Sequence, residues 1–291
     1  MTNPLRNAVV NGRPSTSSRP RLPGRQRALL AACGAVGLIV AVWLAGFLIG
    51  DEALTTRLAW RNLAPSLTHP FGTDWLGRDM FVRTVKGLAL SIGVGLAAAT
   101  ASTAIAAAMG IAAAFGRTAD RIVGWLIDLF LSVPHLVTLI LIAFVFGGGM
   151  KGVVIGVAFT HWPSLARVIR AEALQLRNAD YVAISRRLGK SRAWIATRHM
   201  LPHLLPQLLV GLLLLFPHAI LHEAAITFVG LGLSPHQPAI GIILSESMRY
   251  LSTGMWWLAV FPGLSLLLVI RSFDVAGESL RRLLDPKRAH E

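Results

Sequence analysis

His135, His161, His218 and His222, with the acids Asp128 and Glu223, stand inside stretches otherwise apolar enough to cross a membrane, and any chemistry of this chain must begin with them. His218 and His222 are four residues apart and share one face of a helix. Two imidazoles on one face offer nitrogen lone pairs to a divalent transition metal. His161 is followed by Trp162 and Pro163, and His135 follows Pro134. Polar groups inside a bilayer are costly and turn towards a cavity or a partner. The candidates for a translocation path are therefore His161, His218, His222 and Glu223, with His218 and His222 as transient metal ligands. The competing role is hydrogen bonding between helices, which any one of these histidines alone would fit better. A fixed catalytic metal does not fit. His222-Glu223 opens a zinc-protease pattern whose second histidine would fall where Ile226 stands.

Other chemistries fail on missing residues. There is no G-x-S-x-G elbow for an intramembrane hydrolase. Gly189-Lys190-Ser191 looks like the end of a phosphate-binding loop, but the first glycine of that loop would fall at Ile184. The chain is thus expected to be no enzyme and to bind no cofactor of its own. Uphill transport would need a partner that supplies energy.

The elements that position these residues follow from composition. Of 291 residues, 54% are hydrophobic and 14% charged, where a soluble domain carries about 25% charged. The net charge of +14 comes from 28 Lys and Arg against 14 Asp and Glu. An oily chain with a basic excess fits a membrane protein with its cations on one side. It argues against disorder and against a soluble nucleic-acid binder. The single cysteine, Cys33, excludes an internal disulfide framework. A bilayer core takes roughly 20 apolar residues of helix. Runs of that kind cover residues 28–50, 87–116, 122–146, 152–166, 201–233 and 250–270. The expected fold is an all-α membrane protein with six transmembrane helices. The first run is too long for the apolar core of a cleaved signal and reads as a retained anchor. With six spans both termini share a side, and 21 of the Lys and Arg fall on it against 7 on the other. That bias puts both termini in the cytoplasm. The expected organisation is a cytoplasmic tail over 1–27, a first helix over 28–50, an outer segment over 51–86, a core with five helices over 87–275 and a cytoplasmic tail over 276–291.

The cytoplasmic loop over 167–200 carries helix punctuation among eight basic residues. Asp180 suits an N-cap, residues 181–188 suffice for two turns, and Gly189 can take the left-handed position that ends them. Ser191 can cap a second helix running to Pro202. A short helix between two longer ones suits docking on a partner; a solvated basic loop is the even alternative. Gly152 with Gly156, and Gly46 with Gly50, form small-x-x-x-small faces that would let helices slide or pack tightly. On the outer side, the glycines of Gly72-Thr73-Asp74 and Gly77-Arg78-Asp79 suit tight turns and their Thr and Asp suit caps.

Tyr181-Val182-Ala183-Ile184-Ser185-Arg186-Arg187-Leu188-Gly189, followed by Arg198-His199-Met200-Leu201-Pro202, resembles the EAA loop of bacterial ABC importer permeases, in the form found in the dipeptide, oligopeptide and nickel permease family. The segment from His69 to Asp79, Phe228-Val229-Gly230-Leu231-Gly232-Leu233-Ser234-Pro235, residues 257–264 and Leu284-Asp285-Pro286 match that family in order and spacing, so the likeness covers about residues 69–286. The resemblance implies a type I importer permease core (MetI-like) in the bacterial inner membrane. It would work with a second homologous permease, two cytoplasmic ATPases that use ATP and Mg, and an extracytoplasmic substrate-binding protein. Asp180, Tyr181, Ala183, Arg186, Arg187, Leu188 and Gly189 would then couple the chain to an ATPase. The glutamate that gives the loop its name is Ala183 here, which leaves no acid for an ion pair at that point. Thr160-His161-Trp162 and His218-x-x-x-His222 resemble nickel permeases more than peptide permeases. The expected cargo is therefore nickel or another metal chelate, with di- or oligopeptides as the alternative and a scaffold without transport as a distant third.

Overall fold

The computed structural model describes residues 24–50, 54–234 and 236–284. Most of the expected tail over 1–27, the residues 51–53, Pro235 and the Asp285-Pro286 end of the last motif lie outside the described residues.

Among the described residues, five helices are long and apolar enough to span a bilayer: α1 (Gly24–Leu48), α2 (Met80–Ala113), α5 (Gly149–Leu176), α8 (Leu201–Phe228) and α10 (Trp257–Leu284). The third apolar run is not one straight helix. It forms α3 (Arg117–Ser132) and α4 (His135–Val145), bent by 100°. The cause is local: Pro134 pushes Val133 into an extended conformation, φ −94° and ψ 141°, which ends α3. Counted as one broken span, this pair is the sixth.

Three boundaries differ from expectation. The fourth span does not stop near Ala166 but continues to Leu176. Arg167 and Arg170 thus lie on the helix, and each meets an acid on α3: Arg167 reaches Asp128 at 3.2 Å and Arg170 reaches Asp120 at 2.6 Å. The stretch after Ser234, polar by composition, contains α9 (Ile240–Leu251), which buries Ile240, Ile243 and Ser247 on one face. Tyr250 therefore lies in the last turn of α9, and the last span begins at Trp257, after a turn in which Gly254 has φ +85°.

Two clusters of buried side chains fill the bundle. In one, Leu88 and Ile92 of α2 join Phe216 and Ile220 of α8 and Ile240 and Ile243 of α9. In the other, Ala106 and Ala113 of α2 pack with Ile169 and Ala173 of α5 and with Leu204 of α8. Gly152 and Gly156 do form a small face, and α4 fills it: a Cβ on Gly152 would stand 2.5 Å from the Ala143 carbonyl oxygen. This contact is close packing and leaves no free sliding surface. Gly152→Ala should cost about 1–3 kcal/mol, read as a lower melting temperature in detergent; an unchanged melting temperature would refute the close approach. Gly46 and Gly50 do not form such a face. Gly46 meets Ala89 of α2, whereas Gly50 meets nothing within 4 Å among the described residues.

The segment before α2 forms a cap at one end of the bundle. Gly72 and Gly77 take φ +71° and +72°, and Asp79 caps α2 by accepting the Val82 N–H at 3.0 Å, as the turn chemistry requires. Asp74 is fully buried and accepts Arg78 Nε at 2.7 Å and Arg83 Nη1 at 2.8 Å; Arg83 Nη2 reaches Glu246 of α9 at 2.8 Å. Trp75 stacks on Tyr250 with ring centroids 4.7 Å apart.

Candidate functional site: a histidine-walled cavity and a helical arm

A cavity of about 690 Å³ opens between α4, α5, α8 and α10. Its wall is mainly apolar, with Thr160, Ser164, Gln207 and Arg281 as polar points. His135, His161, His218 and His222 all line it. The 100° break places His135 at the first turn of α4, facing His161 of α5 with ring centroids 4.4 Å apart. His222 closes the group, 4.7 Å from His135 and 5.0 Å from His161.

The i, i+4 pair behaves differently from expectation. His218 and His222 share the face that borders the cavity, but the rings that converge are His135, His161 and His222, whose ligand atoms all lie within 4.8 Å of one another. His218 serves through its backbone: its carbonyl accepts His222 Nδ1–H at 2.7 Å. His161 Nδ1–H is likewise held by the Val157 carbonyl at 3.0 Å. Each bond to a carbonyl fixes the tautomer and leaves Nε2 with its lone pair. Among the described residues, the buried His161 Nε2 and His135 Nδ1 have no hydrogen-bond partner. Spacing along the chain could not bring His135 into the group, because it lies on another helix beyond a break.

Glu223 is not among the residues lining the cavity. One residue on from His222 means about 100° of helix rotation, which turns its carboxylate into the bundle. There it is fully buried and accepts Thr227 Oγ1–H at 3.0 Å.

The arm lies at the other end of the bundle. α6 (Asp180–Arg187) begins one residue earlier than expected: Ala179 is the cap, and its carbonyl accepts the N–H groups of Val182 and Ala183 at 3.0 Å each. Asp180 is therefore the first helical residue, where its charge suits the helix dipole. The exit matches expectation. Gly189 has φ +75°; its N–H donates to the Arg186 carbonyl, and the Lys190 N–H to the Ser185 carbonyl, both at 3.1 Å. This double bond pattern is the glycine-terminated C-cap. Ser191 then caps α7 (Arg192–Ile195), accepting the Trp194 N–H at 3.1 Å. A π-helical turn (Ala196–Met200) follows and runs into α8. Val182 and Ser185 face inward, and Ser185 Oγ bonds His199 Nε2 at 2.8 Å. Tyr181 and Trp194 pack edge-on to the same ring, at 5.3 and 5.0 Å. His199 thus pins α6 to the root of α8. The sequence offered it only as a letter of a motif. Outward, α6 exposes Tyr181, Ile184 and Leu188, with Ala183, Arg186 and Arg187 beside them.

A polytopic helix bundle with an internal cavity at one level and an outward-facing helical arm at one end has the architecture of a membrane transport subunit. Its fold is that of a type I importer permease: one chain of the MetNI methionine ABC transporter, in an inward-facing form, superposes with TM-score 0.57 over 71% of this chain and 98% of its own, at 17% identity. Residues 78–290 match the binding-protein-dependent transport system inner membrane components, and the chain belongs to that family. The oligopeptide transport system permease protein OppC of Bacillus subtilis (strain 168) is 36% identical over 80% of this chain and 76% of its own length. The dipeptide transport system permease protein DppC of the same organism is 32% identical over 86% of this chain and 78% of its own length. The chain is a transport subunit rather than a catalyst.

Proposed function

We propose that this chain is one of a pair of permease subunits in the bacterial inner membrane, importing peptides by alternating access at the expense of ATP hydrolysed by cytoplasmic partners. The observation that carries the peptide reading is the kinship just described, in which relatives at 32–36% identity are named as dipeptide and oligopeptide permeases. It reverses the order suggested by Thr160-His161-Trp162 and His218-x-x-x-His222, which favoured nickel. The cavity suits a short peptide: its volume of about 690 Å³ lies within the range of small-ligand sites. Arg281 on its wall offers a cation to a carboxylate.

Coupling would run through α6. The face formed by Tyr181, Ile184 and Leu188 is apolar and exposed, as a helix seated in a partner's cleft requires. Arg186 and Arg187 would meet acidic groups of an ATPase at its margin. A rigid arm pinned by His199 can pass the closure of two ATPases to the spans as a switch between packed states. An extracytoplasmic binding protein would deliver the cargo at the cap end, with both termini in the cytoplasm.

The histidine group favours a second reading, the import of nickel or another metal or metal chelate. Uptake in cells lacking this chain separates the two. Loss of labelled di- and tripeptide uptake with normal nickel uptake supports the peptide reading. The opposite pattern overturns it in favour of the metal, and loss of neither sinks both.

A further inference from the structure

Among the described residues, three imidazoles from three helices converge on one point of the cavity wall without bonding to each other or to an acid. This geometry carries an inference about what the wall can hold. We propose that His135, His161 and His222 form a three-imidazole site for a first-row divalent transition metal, with its remaining coordination positions open to the cavity. The proposal deepens the transport reading and rests on it for what the metal is for; binding itself is measured without transport.

The ligand set is one that nickel, cobalt, copper and zinc accept, whereas magnesium and calcium require oxygen. The arrangement of the outer bonds is that of a metal site. Ligating histidines hold their second nitrogen on a carbonyl or carboxylate, which orients the ring. His161 and His222 do so through Val157 and His218, at 3.0 and 2.7 Å. His161 has only 7% of its surface exposed, and its Nε2, aimed into the group, has no partner among the described residues. An unpaired buried polar atom is costly, and a metal would relieve that cost. The fit needs a small closure. Bonds of about 2.05 Å in a tetrahedron put ligand nitrogens about 3.3 Å apart, while those here lie within 4.8 Å. Modest ring rotations would cover the difference. Because α4 begins at the Pro134 break and the other two ligands sit on continuous helices, a bound metal would tie α4 to α5 and α8. Three protein ligands leave at least one position for water or for a donor atom of the cargo, as in open metal sites.

The test uses the full-length chain with a tag free of histidine, purified with the subunits that accompany it, and Co²⁺ alone as the probe. The expected result is stoichiometric Co²⁺ binding with an intense visible absorption band. His161→Phe, which keeps a ring of similar size, and His222→Ala should each weaken binding at least about tenfold, the scale on which even outer partners of metal ligands act. His203→Ala, on the exposed start of α8, should leave it unchanged. Gel filtration and the melting temperature of each variant report folding separately. Absence of Co²⁺ binding to the unaltered protein overturns the site, as does binding that survives His161→Phe in a folded sample. Peptide or nickel uptake without Co²⁺ binding removes the site and leaves the transport reading. Co²⁺ binding without any uptake does the reverse.

Discussion

Replacing Gly189 with proline should abolish coupled uptake while the chain still inserts in the membrane. Gly189 sits at φ +75°, and a proline ring holds φ near −65°. Proline also removes the N–H that Gly189 donates to the Arg186 carbonyl at 3.1 Å. The second bond of the cap, from Lys190 to Ser185, depends on the same turn. A misplaced proline costs about 3 kcal/mol or more, a bias of roughly a hundredfold against the native exit of α6 at about 1.4 kcal/mol per tenfold. Gly189→Ala keeps the N–H and meets only the left-handed penalty of about 1–2 kcal/mol, so it should give an intermediate loss. Uptake by membrane vesicles and ATP hydrolysis by the purified assembly are the two readouts. Uptake should fall in the order glycine, alanine, proline, while ATP hydrolysis continues without transport. Equal uptake by all three proteins would mean that the exit of α6 is no lever.

The exit of α6 was legible because its signals are local. A glycine two turns after a helix start, and a serine two residues later, act through bonds spanning a few residues, and both turn out where their chemistry puts them. Asp180 shows the limit of the same reasoning. The chain leaves α5 through a turn in which the Asn178 N–H bonds the Gln175 carbonyl, and this geometry hands the cap to Ala179. The long spans were legible from apolar length alone, but Pro134 announced a break without its angle. α9 was hidden because Glu246 and Arg249 dilute a short apolar face, and a cation that meets Glu246 at 2.8 Å is Arg83, 163 residues away. The histidine group was half legible for the same reason. His218 and His222 share a period that any helix reveals, whereas the convergence of His135 and His161 on His222 is set by how α4 and α5 pack. No local pattern carries that information.

Asp74→Ala should be among the most destabilising single changes in the chain, costing about 3–5 kcal/mol, the usual cost of removing one partner from a buried ion pair. Asp74 is completely buried and accepts four bonds: from the N–H groups of Leu76 and Arg78 at 2.9 Å each, from Arg78 Nε at 2.7 Å and from Arg83 Nη1 at 2.8 Å. Without it, Arg83, itself only 4% exposed, keeps Glu246 as its carboxylate partner. Glu246→Gln should cost less, because Glu246 is 26% exposed and water can take over part of its role. Thermal unfolding in detergent measures both, and a difference of under about 1 kcal/mol between Asp74→Ala and the parent would refute the assignment of Asp74 as the centre of the cap. Because the network joins the cap to α2 and, through Glu246, to α9, its loss should free one end of the bundle while α6 and His199 at the other end stay packed. Uptake per folded molecule then distinguishes two roles. Retained uptake makes the cap a structural clamp. Uptake lost per folded molecule makes it a surface that a binding protein must touch, and the buried position of Asp74 weighs towards the clamp.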